Sequence, residues 1–259
     1  TSYNNLGATY EGKGEYDKAI GYYEKALNIR KGLFGENHPR VATSYNNLGN
    51  AYEERGEYDK AIKYFEKALK IRMGLFGEGH PDVAGSYNNL GNAYRRRGEY
   101  DKAIEYYEKA LKILVGLFGK NHPRVATSYN NLGATYEGKG EYDKAMEYHE
   151  KALKIRMGLF GENHPDVAAS YNNIGNVYGD KGEHDKAMEY HEKALKIKMG
   201  LFGENRPDVA GSYNNLGNAY GEKGEYDKAM GYHEKALKIW MGLFGENHPD
   251  VADSYNNLG

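Results

Sequence analysis

The sequence predicts an all-α fold, an α-solenoid of stacked antiparallel helix pairs, on three observations. The same stretch returns every 42 residues: Tyr3, Tyr45, Tyr87, Tyr129, Tyr171, Tyr213 and Tyr255 each sit in a Ser-Tyr-Asn-Asn context. Apolar residues within each repeat fall at helical spacing. No stretch alternates with period two, so strands are not expected.

A fixed period of this length signals a repeat array rather than a globule around one core. The 259 residues hold six periods and a remainder. The units run approximately 1–41, 42–83, 84–125, 126–167, 168–209 and 210–251, with 252–259 starting a seventh first helix. The whole chain, 1–259, is therefore expected to be a single array in which each unit touches its neighbours.

Unit 42–83 shows the order of elements. Tyr45, Leu48, Gly49 and Tyr52 lie at i, i+3, i+4 and i+7, one face of a first helix that stops at Gly56. A second helix begins near Glu57 and carries Tyr58, Ala61, Ile62, Phe65, Ala68 and Leu69 on its apolar side. Lys67, Lys70 and Arg72 enrich its C-terminal half, and Gly77 caps it before the loop Glu78-Gly79-His80-Pro81. Pro81 and Asp82 open the next first helix, Pro suiting the first turn and Asp its dipole. Each pair has apolar residues on more than one face, so its neighbours must cover them. Gly7, Gly49, Gly91, Gly133, Gly175 and Gly217 recur inside first helices. Gly costs about 1 kcal/mol against Ala there, so its return implies a steric need where helices meet.

Composition excludes several classes. There is no Cys, hence no disulfide framework, thiolate metal site or thiol nucleophile. A net charge of −2 gives no global pull toward nucleic acid or anionic membrane. No apolar run reaches the ~20 residues that span a bilayer, and the start lacks a signal-peptide pattern. A cytoplasmic location is the expectation. The 26 Tyr in regular placement oppose disorder.

The pattern Tyr45-x-x-Leu48-Gly49-x-x-Tyr52, followed by Ala61-x-x-x-Phe65 and Ala68, resembles the tetratricopeptide repeat signature, with Tyr in the usual Trp place. The usual repeat has about 34 residues. The added residues lengthen the second helix and loop, and Leu-Phe-Gly-Glu-Asn-His-Pro-Asp-Val-Ala leading into Tyr-Asn-Asn-Leu-Gly is similar to kinesin light chain and nephrocystin-type repeats. The resemblance covers the whole chain. It implies a right-handed superhelix whose first helices line a concave groove, and partner binding rather than catalysis. Both ends read as cut, since Thr1 falls inside a first helix that lacks its opening turn and no polar capping repeat is present.

Four candidate sites follow. The first is an asparagine row. At 100° per residue, Asn46, Asn47, Asn50 and Glu53 point about 90° to 150° away from the Tyr45–Leu48–Gly49–Tyr52 face, toward the groove or the adjacent first helix. The groove residues expected to bind are Asn46, Asn50, Asn88, Asn92, Arg95, Asn130, Asn172, Asn176, Asn214 and Asn218. Amides offer donors and acceptors, so a spaced row can grip the main chain of an extended peptide. The alternative is that they bond neighbouring helices. In similar kinesin light chains, groove asparagines contact cargo peptides, and the resemblance implies the same use here.

The second candidate is Arg95-Arg96-Arg97, within a segment, 84–125, that carries eight Lys/Arg against four Asp/Glu. Residues 1–125 carry a formal +4 and residues 126–259 a formal −6. These arginines either meet acidic partner side chains or complement a helix end. The carboxylate-clamp form of the family places Lys or Arg where Asn46, Asn88 and Asn130 stand, so capture of a C-terminal carboxylate is not expected.

The third is histidine. His38, His80, His122, His164 and His248 precede Pro, but Arg206 replaces one of them, against a ligand role. His149, His191 and His233 take the place of Tyr23, Phe65 and Tyr107 on the second helix and read as partly buried packing residues. No metal or other cofactor is expected. The fourth is catalysis. Carboxylates recur in every unit as a solvated face, and no hydrolase, zincin or phosphate-loop motif appears, so the chain is not expected to be an enzyme.

The function these residues support is a protein–protein interaction module that binds an extended peptide or partner helix in the groove. One alternative is head-to-tail self-association through Tyr3, Leu6 and Tyr10 at one end and Tyr255 and Leu258 at the other. Another is a duplicated or engineered array with no evolved ligand.

Overall fold

The computed structural model describes residues 2–256; Thr1 and Leu258, named above, lie outside them. The described residues form thirteen helices and no strand. They are α1 (Ser2–Glu11), α2 (Tyr16–Phe34), α3 (Pro39–Glu54), α4 (Tyr58–Phe76), α5 (Pro81–Arg96), α6 (Tyr100–Phe118), α7 (Pro123–Gly138), α8 (Tyr142–Phe160), α9 (Pro165–Asp180), α10 (His184–Phe202), α11 (Pro207–Glu222), α12 (Tyr226–Phe244) and α13 (Pro249–Asn256). Two compact units divide them, Thr1–Thr135 and Tyr136–Gly259.

Odd-numbered helices start at Pro from α3 onward, as the Pro-Asp and Pro-Arg openings require. The residue before that Pro is the cap. His80 Nδ1 accepts from Asp82 N at 3.1 Å, and His38 and His164 do the same for Arg40 and Asp166. The same rings stack on the end of the preceding helix, His80 on Phe76 at 4.4 Å and His122 on Phe118 at 4.4 Å. His38, His80, His122 and His164 thus cap their helices while half-buried against Phe rings, and Arg206, in the same place, makes no side-chain cap bond.

The turn from α3 to α4 closes on Gly56, at φ +80°. Glu57 N donates to Tyr52 O and Gly56 N to Glu53 O, both at 2.9 Å, so the last carbonyls of α3 find partners. A side chain at that φ would clash with its own backbone, which is why this helix end needs Gly.

Within the first unit the pairs run antiparallel. Lys60, early in α4, lies over Tyr52, late in α3, at 5.2 Å; Lys67 lies over Tyr45 at 5.4 Å. The contact between pair members is tight because of the recurring Gly. A methyl group on Gly91 would fall 2.7 Å from the Tyr107 ring. Leu48, Phe65, Leu90 and Tyr107 are wholly buried. Burying each such side chain stabilises by about 1.5–3 kcal/mol. Successive pairs are tied by Arg30 and Arg72, whose guanidinium groups donate to Ser44 and Ser86 Oγ at 2.7 Å. Exposed bridges join Arg55 to Asp17 and Arg97 to Asp59. Such pairs contribute at most about 1 kcal/mol, so apolar burial dominates.

The second unit repeats the scheme with different chemistry at the pair contact. His191 and His233 replace the aromatic rings, and methyl groups on Gly175 and Gly217 would fall 2.7 Å and 2.5 Å from their Cε1 atoms. Each core cluster draws on successive helices: Val167 and Ala168 from α9 meet Ala194 and Ile197 from α10, with Leu153 and Met157 from α8 packed against them. Val209, Ala210, Ala236 and Ile239 form the next, with Leu195, Met199 and Trp240 alongside. One pair therefore leaves apolar surface that the next pair covers, as the sequence pattern requires. Arg156 and Lys198 reach Ser170 and Ser212 at 2.7 Å and 3.0 Å.

Candidate functional site

Two clefts open between first helices, one in each unit. The first, of about 410 Å³, is lined by Asn46 on α3, by Asp82, Gly85, Asn88 and Asn89 on α5, and by Arg124 and Thr127 on α7. Arg72 closes its floor from α4. Its guanidinium donates to Ser86 Oγ and sits in partly buried surroundings that lower its pKa. One period later the equivalent residue is Leu114, buried and lining the same cleft.

The asparagines here are partly knitted together. Asn47 Nδ2 donates to Asn4 Oδ1 at 2.9 Å, and Asn89 Nδ2 to Asn46 Oδ1 at 2.6 Å. Asn88 Oδ1 is buried and accepts no hydrogen bond. A buried acceptor left open costs about 1–3 kcal/mol. Asn88 itself lines the cleft, with this oxygen turned away from open solvent.

The other predicted residues divide by direction. Asn92 Oδ1 accepts from the Tyr107 hydroxyl at 2.5 Å, so it is held against the second helix. Arg95 lies beside the same hydroxyl, whose pKa burial pushes up to about 12 while Arg95 opposes the rise. Asn172 and Asn214 approach the rings of His191 and His233, at 3.5 Å and 3.3 Å. Asn50 is half-buried on α3, and Asn130 is half-buried and engaged. Arg96 is already paired inside the chain, 2.8 Å from Glu54 and 3.7 Å from Glu53. Arg97 bridges Asp59 and Glu99 and lies over Tyr94. Burial raises the pKa of Glu53, against the pull of Arg96.

The second cleft, of about 230 Å³, brings Asn176, Asn215 and Asn218 together with Glu137, Asp180, Glu222 and His191. Asn176 and Asn218 are exposed. The Asp180 pKa is raised, first by burial and then by the neighbouring Glu137 and Glu222 carboxylates. Burial, aided by Lys198, lowers His191 to about 4, so its ring is neutral near pH 7. These three carboxylates were not among the expected site residues. Two signals pointed to them: the groove direction assigned to Glu53, whose register Glu137 shares, and the excess of acidic residues after position 125.

Of the residues expected to self-associate, Tyr3, Leu6 and Tyr255 are exposed and Tyr10 is half-buried. Among the described residues no three His, Asp or Glu side chains gather as metal ligands. No helix there is long and apolar enough to cross a membrane.

Comparison with known proteins agrees with this architecture. A family model described as tetratricopeptide repeat matches residues 1–74, 82–157, 138–199 and 201–259. The matching model is a repeat scaffold rather than a catalytic domain. Among solved structures, the chain is similar to BtubC (BKLC) from P. vanneervenii, at 30% identity over 90% of this chain and 94% of that one, with a TM-score of 0.74. It is similar in fold to the nearly identical TPR-like repeats of kinesin light chain type from Podosopora anserina, at 24% identity over 80% and 98% of the two chains, TM-score 0.67. It also shares its fold with 37% of the STAND protein with a tetratricopeptide repeat sensor, PH0952, from Pyrococcus horikoshii, at 20% identity over 99% of this chain, TM-score 0.72. A comparison with curated protein sequences gives no match.

Proposed function

The chain belongs to the tetratricopeptide repeat family, and from that premise we propose that it holds an extended peptide or a partner helix against its first helices. Repeats of this family generally mediate protein–protein interaction. The observation that supports the finer reading is the 410 Å³ cleft with Asn88 Oδ1 buried and unpaired on its wall. Rotation of the Asn88 side chain into the cleft would bring this acceptor to a peptide N–H, and Asn46, Asn89 and Thr127 supply further polar contacts at the spacing of successive first helices. The same 42-residue period runs through both units, so the chain reads as one array, and each unit carries a cleft between first helices. That favours multivalent partners.

A second reading, an array with no evolved ligand, draws on the Asn47–Asn4 and Asn89–Asn46 bonds, which consume part of the row internally. Selection of a random peptide library on the full chain separates the two. Asn88→Ala is expected to weaken selected peptides by about fivefold, the worth of one hydrogen bond. Unchanged affinity for Asn88→Ala and Asn218→Ala alike would remove the amides from the account.

A further inference from the structure

The geometry points to the cleft of the second unit as a receptor for a cationic side chain, arginine before lysine, carried by the bound partner. The inference deepens the peptide-binding reading and rests on it for the partner's nature. The chain supplies its own template. In the first unit Arg96, at the end of α5, lies 2.8 Å from Glu54 and 3.7 Å from Glu53 on the preceding first helix. Two periods later the Glu53 register holds Glu137, but the Arg96 register holds Asp180, and a further period on it holds Glu222. The Glu53 carboxylate is kept, the Glu54 position becomes Gly138, and acidic residues stand where the guanidinium stood.

Among the described residues of the second unit, the lysines on these turns are engaged elsewhere. Lys181 and Lys223, the basic residues on the same turns, are turned to Asp143 and Glu183 and to Asp185 and Glu225. His191, 4% exposed in the cleft wall, is neutral near pH 7. His149 is 1% exposed and neither ring nitrogen has a hydrogen-bond partner; its Nε2 is aimed at the cleft carboxylate Glu137, 3.6 Å away. His184 Nδ1, 3.3 Å from Glu222, is likewise without a hydrogen bond. The carboxylates therefore face one another, and the Asp180 carboxyl is held above its ordinary range, first by burial and then by Glu137 and Glu222.

At about 230 Å³ the cleft is smaller than the ~300–1,000 Å³ that takes a drug-sized ligand, and suits one side chain. A planar guanidinium matches paired carboxylates through forked hydrogen bonds, which a lysine ammonium does not. Asn176 and Asn218 at the cleft can hold the adjoining main chain.

The test titrates the full chain with N-acetyl-arginine amide and, separately, with N-acetyl-citrulline amide, its neutral isostere, following backbone amide NMR shifts. Saturable shifts in α9 and α11 are expected with arginine, at least about tenfold weaker with citrulline and with the Asp180→Asn/Glu222→Gln variant. The Asp180→Arg variant, which places an arginine in the Arg96 register beside Glu137, should abolish them while keeping the helical circular dichroism. No saturable shift in the second unit, or equal binding of the two probes, overturns the inference. Its failure is separable from failure of the groove reading. Library peptides that bind without needing a cation refute this inference alone, and arginine-probe binding without any selected peptide refutes the groove reading alone.

Discussion

Gly49→Ala tests the account of why these helix pairs pack as they do. The added methyl would fall 2.6 Å from Cδ1 and 2.9 Å from Cζ of Phe65, whose ring is wholly buried and has no free space to enter. Overpacking of this kind costs about 1–3 kcal/mol. The same substitution gains about 1 kcal/mol of helix propensity, which conceals part of that cost. Gly85→Ala is the internal control. It too is helical, but an added methyl there meets nothing within 4 Å, and the equivalent position two repeats on already carries Ala169. Propensity is common to both variants, so the difference between them isolates the clash. Thermal unfolding followed at 222 nm should separate them by about 2 kcal/mol, or about 4–8 °C at this chain length. Gly85→Ala should raise Tm and Gly49→Ala should not. Adding Phe65→Leu to Gly49→Ala should recover part of the loss, because the two sites share one contact. An equal rise in Tm for both variants would refute the steric explanation of the recurring glycine.

Three further outcomes follow from the second unit and the caps. His191 has a folded-state pKa of about 4 against an ordinary 6.5, so the unfolded chain takes up its proton first as pH falls. Its contribution is whole above pH 6.5 and is lost between 6.5 and about 4, by about 3 kcal/mol in total. His191→Phe, the residue type that Phe65 places against Gly49, should flatten that part of the stability–pH curve; an unchanged slope would refute a buried neutral imidazole. His80→Ala should cost about 1 kcal/mol and speed amide exchange at Asp82, the donor it caps. Arg206→His should do the reverse for α11, whose cap now makes no side-chain bond. Opposite signs in denaturant titrations of these two variants are the expected result.

Much of the architecture was legible because each repeat states it again. The helical spacing of Tyr45, Leu48, Gly49 and Tyr52, the Gly56 turn and the Pro81 start are local signals, and local backbone rules suffice to read them. Gly49 announced a close contact because its propensity cost recurs unrelieved in every unit. The role of His80 was missed for an equally local reason: an imidazole before Pro is not among the usual capping residues, and only the coordinates show its Nδ1 over Asp82 N.

The site divides differently. Sequence spacing placed Asn46, Asn88, Asn92 and Asn172 together on one side of their helices, and that was all a helical wheel can say. Tertiary packing decided that Asn46 and Asn88 line a cleft, that Asn92 is held by Tyr107, and that Asn172 turns to His191. These outcomes differ because the neighbouring second helix carries Tyr in one repeat and His in the next, which changes what each amide can bond. The carboxylate trio shows the same limit more sharply. Glu137, Asp180 and Glu222 lie 43 and 42 residues apart in the chain, and only the stacking of one first helix against the next brings their like charges into a single cleft.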